Sequence, residues 1–438
     1  MRASSPLAAP ADAAPAPGRP PAESHLLAAP HLLAAPLPRV SVQVFCETPD
    51  VAAACGAAAA DRRFDKVQLK VGMGGAPAAA EAYRDAPTPN VIVVESLAGG
   101  APLLAALERL AEVCDEGTKV VVIGHVNDVL LYRELMRRGV SEYVIAPLDT
   151  AGFMRALSDL FHAPGAEPLG RTVAVVGAKG GVGASTFAHN LAFSITRGLG
   201  LAAVIADLDL AFGTAGLDFN QDPPQGIAEA VFAPDRLDAN LVDRLLAKCS
   251  ERLSLLAAPA TLERPYDLEE LSFDGVFDIL RGMTPFVVLD VPHAWTSWTR
   301  RALVGADEIV LVAEPDLANL RNAKNMLDTL AAARPNDRRP HLVLNRVGVP
   351  KRPEIAPAEF AKALGVEPAA VIAADAALFG AAANNGQMLS EVQGNAKAVE
   401  AVAAVAGLVT GRAEPRKAKS GLAAGVLDPL LARFRKTG

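Results

Sequence analysis

Apolar and polar positions along the chain fall into two long blocks with the same rhythm. In the first, from Arg39 to about Phe161, runs of β-prone residues alternate with amphipathic stretches. Strands are expected at Ser41–Phe45, Val91–Ser96, Lys119–Gly124 and Glu142–Pro147, and helices at Ala101–Val113, Asp128–Arg138 and Thr150–Leu160. Wholly apolar strands between amphipathic helices predict a parallel sheet covered on both faces, here a single flavodoxin-like unit. The second block, Arg171 to about Gly411, opens with the apolar run that begins at Val173 and follows it with a helix. Leu201–Leu217 contains a strand ending in the acidic pair Asp207 and Asp209. Further strands are expected at Arg252–Pro259, at Pro285–Ala294 with Asp290 at its tip, within Ala306–Asp316, and at His341–Val347. The fold class is α/β, with two doubly wound parallel-sheet domains. Acidic and polar residues recur at the C-terminal strand ends, where open α/β sheets bind ligands.

Composition sharpens the boundaries. Residues 1–37 are rich in Ala and Pro, nearly uncharged, and repeat HLLAAP at His25–Pro30 and His31–Pro36. Such a segment buries too little surface to offset its ordering entropy and is expected to be disordered. The repeat reads either as low-complexity drift or as a docking motif. The two folded domains are set at 38–162 and 171–411, joined by a Pro/Gly-bearing linker at 163–170. Residues 412–438 form a basic tail, with seven basic and two acidic residues in a chain of net charge −7. That acidic balance argues against a nucleic-acid binder. The cysteines Cys46, Cys55, Cys114 and Cys249 show no CxxC spacing, so a reducing cytoplasm is expected. No apolar run reaches the ~18 residues of a membrane span. No secretion signal is expected either, because prolines interrupt each apolar run near the start.

The chemistry concentrates at Val173–Thr186, VAVVGAKGGVGAST. A strand runs into a glycine-rich turn that opens a helix, which is what a phosphate cradle requires. Gly180, Gly181 and Gly183 supply the bend. The lysine expected at position 184 of such a loop is Ala184, and the loop's one lysine, Lys179, comes five positions earlier.

Two resemblances follow from these motifs. The first domain resembles a response-regulator receiver, most clearly in RRGVSEYVIAP, but its chemistry is degenerate. The first strand ends in Phe45-Cys46-Glu47, Glu95 stands where the phosphoacceptor aspartate belongs, and Ala146-Pro147 replace the lysine. No phosphorylation is expected. Glu95 reads as a plain strand-end acid or as a mimic of the charged state. The second domain resembles the deviant P-loop ATPases of the MinD/ParA class through KGGVGAST, DLDLAFGTAGLD, DVP, LNR and Val371–Met388 in order, although a proline usual near the start of the last is alanine. A degenerate receiver placed before such a loop resembles the CpaE/TadZ family. Its members accompany tight-adherence (Flp) type IV pilus machines and mark where those are built.

The resemblance implies roles. Backbone N–H groups of Gly180, Gly181, Val182, Gly183, Ala184, Ser185 and Thr186 would hold ATP, with Thr186 at the α-phosphate. Ser185 would ligate Mg²⁺, and Asp290 would orient it through water. Asp209 would position the attacking water with Asp207 beside it, Lys179 would reach across a homodimer, and Asn345 would read adenine. Asp207 also reads as a strand cap and Asn345 as a turn residue. A missing lysine removes a charge-assisted bond of about 1.5–3 kcal/mol, or about one to two powers of ten in affinity. A slow ATPase is therefore expected.

In the tail, Asp428–Lys436 suits a short helix with Leu430, Leu431 and Phe434 on one face and Arg433, Arg435 and Lys436 beside it. It resembles the lipid-binding terminal helix of MinD-type proteins, which implies an anionic membrane surface as partner through residues 428–436. Docking on a protein partner, or on its own domain, is the alternative. The overall expectation is a cytoplasmic protein, peripheral at the inner membrane or a cell pole, working with pilus assembly and secretion components. The alternatives are a division-site or chromosome/plasmid partition ATPase, and a non-catalytic nucleotide-bound scaffold.

Overall fold

In the computed structural model, the described residues are 37, 40–161, 169–262 and 265–412. Nearly all of the Ala/Pro-rich segment, most of the linker and the tail helix expected at 428–436 lie outside them. Leu37 is described, and it is buried against the first domain.

The first domain is built from β1 (Val40–Cys46), α1 (Pro49–Ala58), β2 (Val67–Met73), α2 (Gly75–Ala82) and β3 (Val91–Ser96). It continues with α3 (Gly100–Ala111), β4 (Lys119–Gly124), α4 (Val129–Arg137), β5 (Glu142–Ile145) and α5 (Thr150–Asp159). Its sheet is parallel throughout, in the order β2-β1-β3-β4-β5. All six residues of β3 are buried, as an apolar strand covered on both faces should be. β2 escapes a pattern search because it is an edge strand with Gln68 and Lys70 among half-exposed positions.

The second domain opens with β6 (Arg171–Gly177), α6 (Ala184–Leu199), β7 (Ala203–Asp207) and α7 (Ala215–Asp218). Then come α8 (Ile227–Val231), α9 (Ala239–Leu245), β8 (Ala247–Lys248), β9 (Leu253–Leu256), α10 (Asp274–Met283) and β10 (Phe286–Val291). The chain closes with α11 (Ser297–Gly305), β11 (Glu308–Ala313), α12 (Leu317–Ala333), β12 (His341–Val347), α13 (Pro357–Leu364), β13 (Pro368–Ala373), α14 (Ala376–Asn385), α15 (Leu389–Val392) and α16 (Lys397–Thr410). The strand order is β13-β12-β11-β6-β10-β7-β9-β8, parallel except for the two-residue edge strand β8. β6 lies between β10 and β11, so the loop after it opens at a switch in connection direction, the usual ligand position of such sheets. Apolar clusters pack on both faces of this sheet, one around Leu289, Trp298 and Phe360, the other around Val288, Leu191 and Val405.

A buried ionic lock joins the domains. Arg62 donates to Asp337 (2.7 Å) and to the Gly305 carbonyl (2.6 Å). Arg63 pairs with Asp61 (2.8 Å) and also with Asp337, which takes a further bond from Arg334 (2.8 Å). The Asp337 side chain is only 4% exposed.

Candidate functional site

The glycine-rich loop leaves β6 and enters α6 through Gly183, whose φ of +86° is in the left-handed region that favours glycine. A Cβ there would sit 2.7 Å from Asn345 Nδ2. Three side chains hold loop carbonyls in place. His293 Nδ1 donates to Gly177 (2.9 Å), Asn322 Nδ2 to Ala178 (3.0 Å) and Asn345 Nδ2 to Val182 (2.8 Å). Among the described residues, the N–H groups from Lys179 to Thr186 donate to no backbone carbonyl. A row of unspent donors at the positive end of a sixteen-residue helix forms an anion cradle. Ser185 and Thr186 face it, half-buried, and Ala184 leaves it without an internal cation.

Below the loop the acids converge. Asp207 ends β7, fully buried, and accepts from the N–H groups of Asp209 and Ala215 (3.1 Å each). The chain turns tightly here because Asp209 accepts from Phe212 (3.0 Å), and any side chain at Gly213 would collide with Asp207. Asp290 sits near the end of β10, also buried. The unforeseen member is His189, which is fully buried on α6 one turn beyond Ser185. It joins Asp218 through Nδ1 (2.6 Å) and Asp290 through Nε2 (3.2 Å). Burial works against its charge, but the bonds to Asp218 and Asp290 prevail and push its pKa up to about 10. Burial and the neighbouring Asp290 push Asp207 up to about 7, against the opposing pull of His189 and two backbone bonds.

Phosphate loop, Asp207, Asp209 and Asp290 are thus brought together. Lys179 projects into solvent, 3.9 Å from Asp316, the N-cap of α12. Asn345 is buried with its amide committed to the loop. His189, His293 and Asn322 carry the site's architecture without having stood out, and Asp218, which closes DLDLAFGTAGLD, is given no role by the resemblance. The i, i+4 spacing of Ser185 and His189 was the available signal.

The degenerate site of the first domain is closed. Glu95, fully buried at the end of β3, accepts from the N–H groups of Glu47 (2.7 Å) and Thr48 (2.9 Å), from Thr48 Oγ1 (2.7 Å) and from His125 Nε2 (2.9 Å). Burial alone would raise its pKa, but these bonds hold it below the usual carboxylate value.

No protein-family model matches the chain. The CpaE pilus assembly protein of Caulobacter crescentus is 47% identical, a match spanning 98% of that protein and 30% of this chain, with a TM-score of 0.29. The CpaE2 pilus assembly protein of Sinorhizobium meliloti is 44% identical over 100% of its length and 28% of this chain, with a TM-score of 0.27. Identity at this level across the whole of two relatives decides the assignment. The chain belongs to the CpaE family. The septum site-determining protein MinD of Synechocystis is 28% identical over 166 residues, 37% of this chain. The chain spans 60% of the length of that relative. This CpaE-family chain therefore carries a loop of the MinD/ParA-like P-loop ATPase type beside a degenerate receiver-like domain. Among the described residues, no helix is long and apolar enough to cross a membrane.

Proposed function

We propose that this protein binds ATP, dimerises on it, hydrolyses it weakly, and positions the assembly of a tight-adherence (Flp) type IV pilus machine, at a cell pole. The observation that carries the nucleotide part is the loop itself. Its N–H groups are unspent, while His293, Asn322 and Asn345 hold three of its carbonyls. A triphosphate suits these donors, since anionic oxygens would satisfy groups that no other group among the described residues satisfies. Ser185 would hold the Mg²⁺ that accompanies the nucleotide, with Asp290 orienting it through water, and the ion would neutralise phosphate charge. Asp209, half-buried at the cleft, would orient water. Lys179, whose one ionic partner among the described residues is Asp316 at 3.9 Å, would reach phosphates bound by a second copy and supply the charge that Ala184 lacks. Phe212 and Leu217 beside the site are each 73% exposed, an apolar surface suited to that second copy. The pilus part rests on the family. The basic tail would add contact with anionic lipid.

Calorimetric titration of the full-length chain with Mg-ATP tests the first claim, and light scattering with and without nucleotide tests the second. Binding with a rise to dimer mass is expected, and Lys179→Ala should bind ATP yet release phosphate more slowly. No heat and no competition with a fluorescent ATP analogue would end the proposal.

A further inference from the structure

The ring of His189 stands where an ordinary Mg²⁺ site would hold only oxygen. It projects from α6 one turn after Ser185, and helix side chains lean toward the N-terminus, which brings the imidazole beneath the phosphate loop. One ligand atom from each of His189, Asp207 and Asp290 lies within 4.8 Å of the others, and all three residues are buried. Behind the ring, Asp218 Oδ2 grips Nδ1 at 2.6 Å and so aims Nε2 at the two β-strand acids. A carboxylate bonded to the far nitrogen is the usual support of a metal-bound histidine. Asp207 and Asp290 are buried and Asp218 is partly exposed, so three carboxyl groups surround one imidazole, an arrangement that a dication would balance.

We propose that His189 Nε2, together with Asp207 and Asp290, binds a first-row transition dication in preference to Mg²⁺, with Asp218 as the supporting carboxylate. Mg²⁺ favours oxygen donors and retains its waters, whereas imidazole suits the borderline metals. Binding sends to solvent the Nε2 proton that the ring now shares with Asp290, while Nδ1–H stays on Asp218, so metal uptake releases a proton. The assignment rests on the nucleotide-site reading only for its meaning, because the three ligands belong to the chain alone.

Chelator-treated full-length protein titrated with MnCl₂ tests it, with bound metal followed by electron paramagnetic resonance. One Mn²⁺ per chain is expected, with ¹⁴N modulation from a directly bound imidazole in the pulsed spectrum and Mg²⁺ competing only in large excess. His189→Ala should lose the nitrogen signal. Asp218→Asn should keep it while weakening Mn²⁺ by about 10–100-fold. The wild-type spectrum needs no variant, so misfolding of a mutant cannot hide the answer. A nitrogen-free spectrum, no uptake, or displacement by equimolar Mg²⁺ overturns the proposal. A fluorescent ATP analogue measured in parallel separates the two readings. Analogue binding with a nitrogen-free spectrum removes only the histidine ligand, and nitrogen coupling without analogue binding removes only the nucleotide.

Discussion

Asp337→Ala should cut the ionic lock between the domains. The carboxylate, 4% exposed, serves Arg62, Arg63 and Arg334. After its removal Arg63 keeps Asp61 and Arg62 keeps Asp307 at 3.6 Å, but Arg334 is left with only the carbonyls of Leu303 and Asp307. Breaking one buried pair by deleting a partner costs about 3–5 kcal/mol, and Arg334, left without a carboxylate, places the variant in that range. That is a large part of a total stability of about 5–15 kcal/mol. Urea titration reads it, since urea leaves charges unscreened. Both tryptophans, Trp295 and Trp298, lie in the second domain, so their fluorescence reports that domain while circular dichroism reports both. Wild-type transitions should coincide. In the variant the midpoint should fall and the two probes should separate. Arg62→Ala on the Asp337→Ala background should cost less than on the wild type, by about 0.5–3 kcal/mol. Burial would raise the pKa of Asp337, but Arg62, Arg334 and Arg63 prevail and lower it. Its contribution is therefore complete above the unfolded value of about 3.9 and is lost as pH falls through the lower folded one. The gap between wild type and variant should stay constant from about pH 7 to 5 and close in stronger acid. A midpoint shift worth under about 1 kcal/mol, in the range of an exposed pair, would refute the reasoning.

Gly183→Ala should abolish binding of a fluorescent ATP analogue with the circular dichroism retained, because its Cβ would meet Asn345 Nδ2 at 2.7 Å. Gly181→Ala, at φ +82° but with nothing within 4 Å, should pay only the left-handed strain of about 1–2 kcal/mol and bind more weakly without losing the site. Ala184→Lys should tighten Mg-ATP by about ten- to a hundredfold in calorimetry, the return of about 1.5–3 kcal/mol, and an unchanged Kd would mean that the loop holds no terminal phosphate.

What the sequence makes legible depends on burial. Val91–Ser96, Lys119–Gly124 and His341–Val347 emerge with their observed limits, because interior strands of a parallel sheet are apolar on both faces. β2 and β13 do not, since edge strands mix polar and small residues. The same division runs through the site. Asp207, Asp209 and Asp290 stand out because they close apolar runs. His189 lies within an amphipathic helix, and its partners are 29 and 101 residues away, so no local pattern marks it. Asn345, expected at adenine, spends its amide on Val182, a contact 163 residues long in sequence.

Both domains place a functional-looking strand end on a parallel sheet, and their hydrogen-bond inventories differ in sense. A carboxylate has about four acceptor sites, and Glu95 fills four with Glu47, Thr48 twice and His125. Nothing remains for a cation or a phosphoryl group. The phosphate loop offers the reverse, a row of donors with nothing among the described residues to receive them. It follows that Glu95→Gln should destabilise the first domain, because a neutral amide gives up the charge that strengthens the bonds from Glu47, Thr48 and His125, at about 1 kcal/mol per bond. The effect should fade in acid, since a carboxylate held below its usual value contributes only above that folded value. Wild-type protein should take no label at Glu95 from acetyl phosphate, and Mg²⁺ should leave the first domain's unfolding unchanged. Labelling at Glu95, or stabilisation of that domain by Mg²⁺, would mean that the pocket opens, and its closed hydrogen-bond inventory could not then explain its silence.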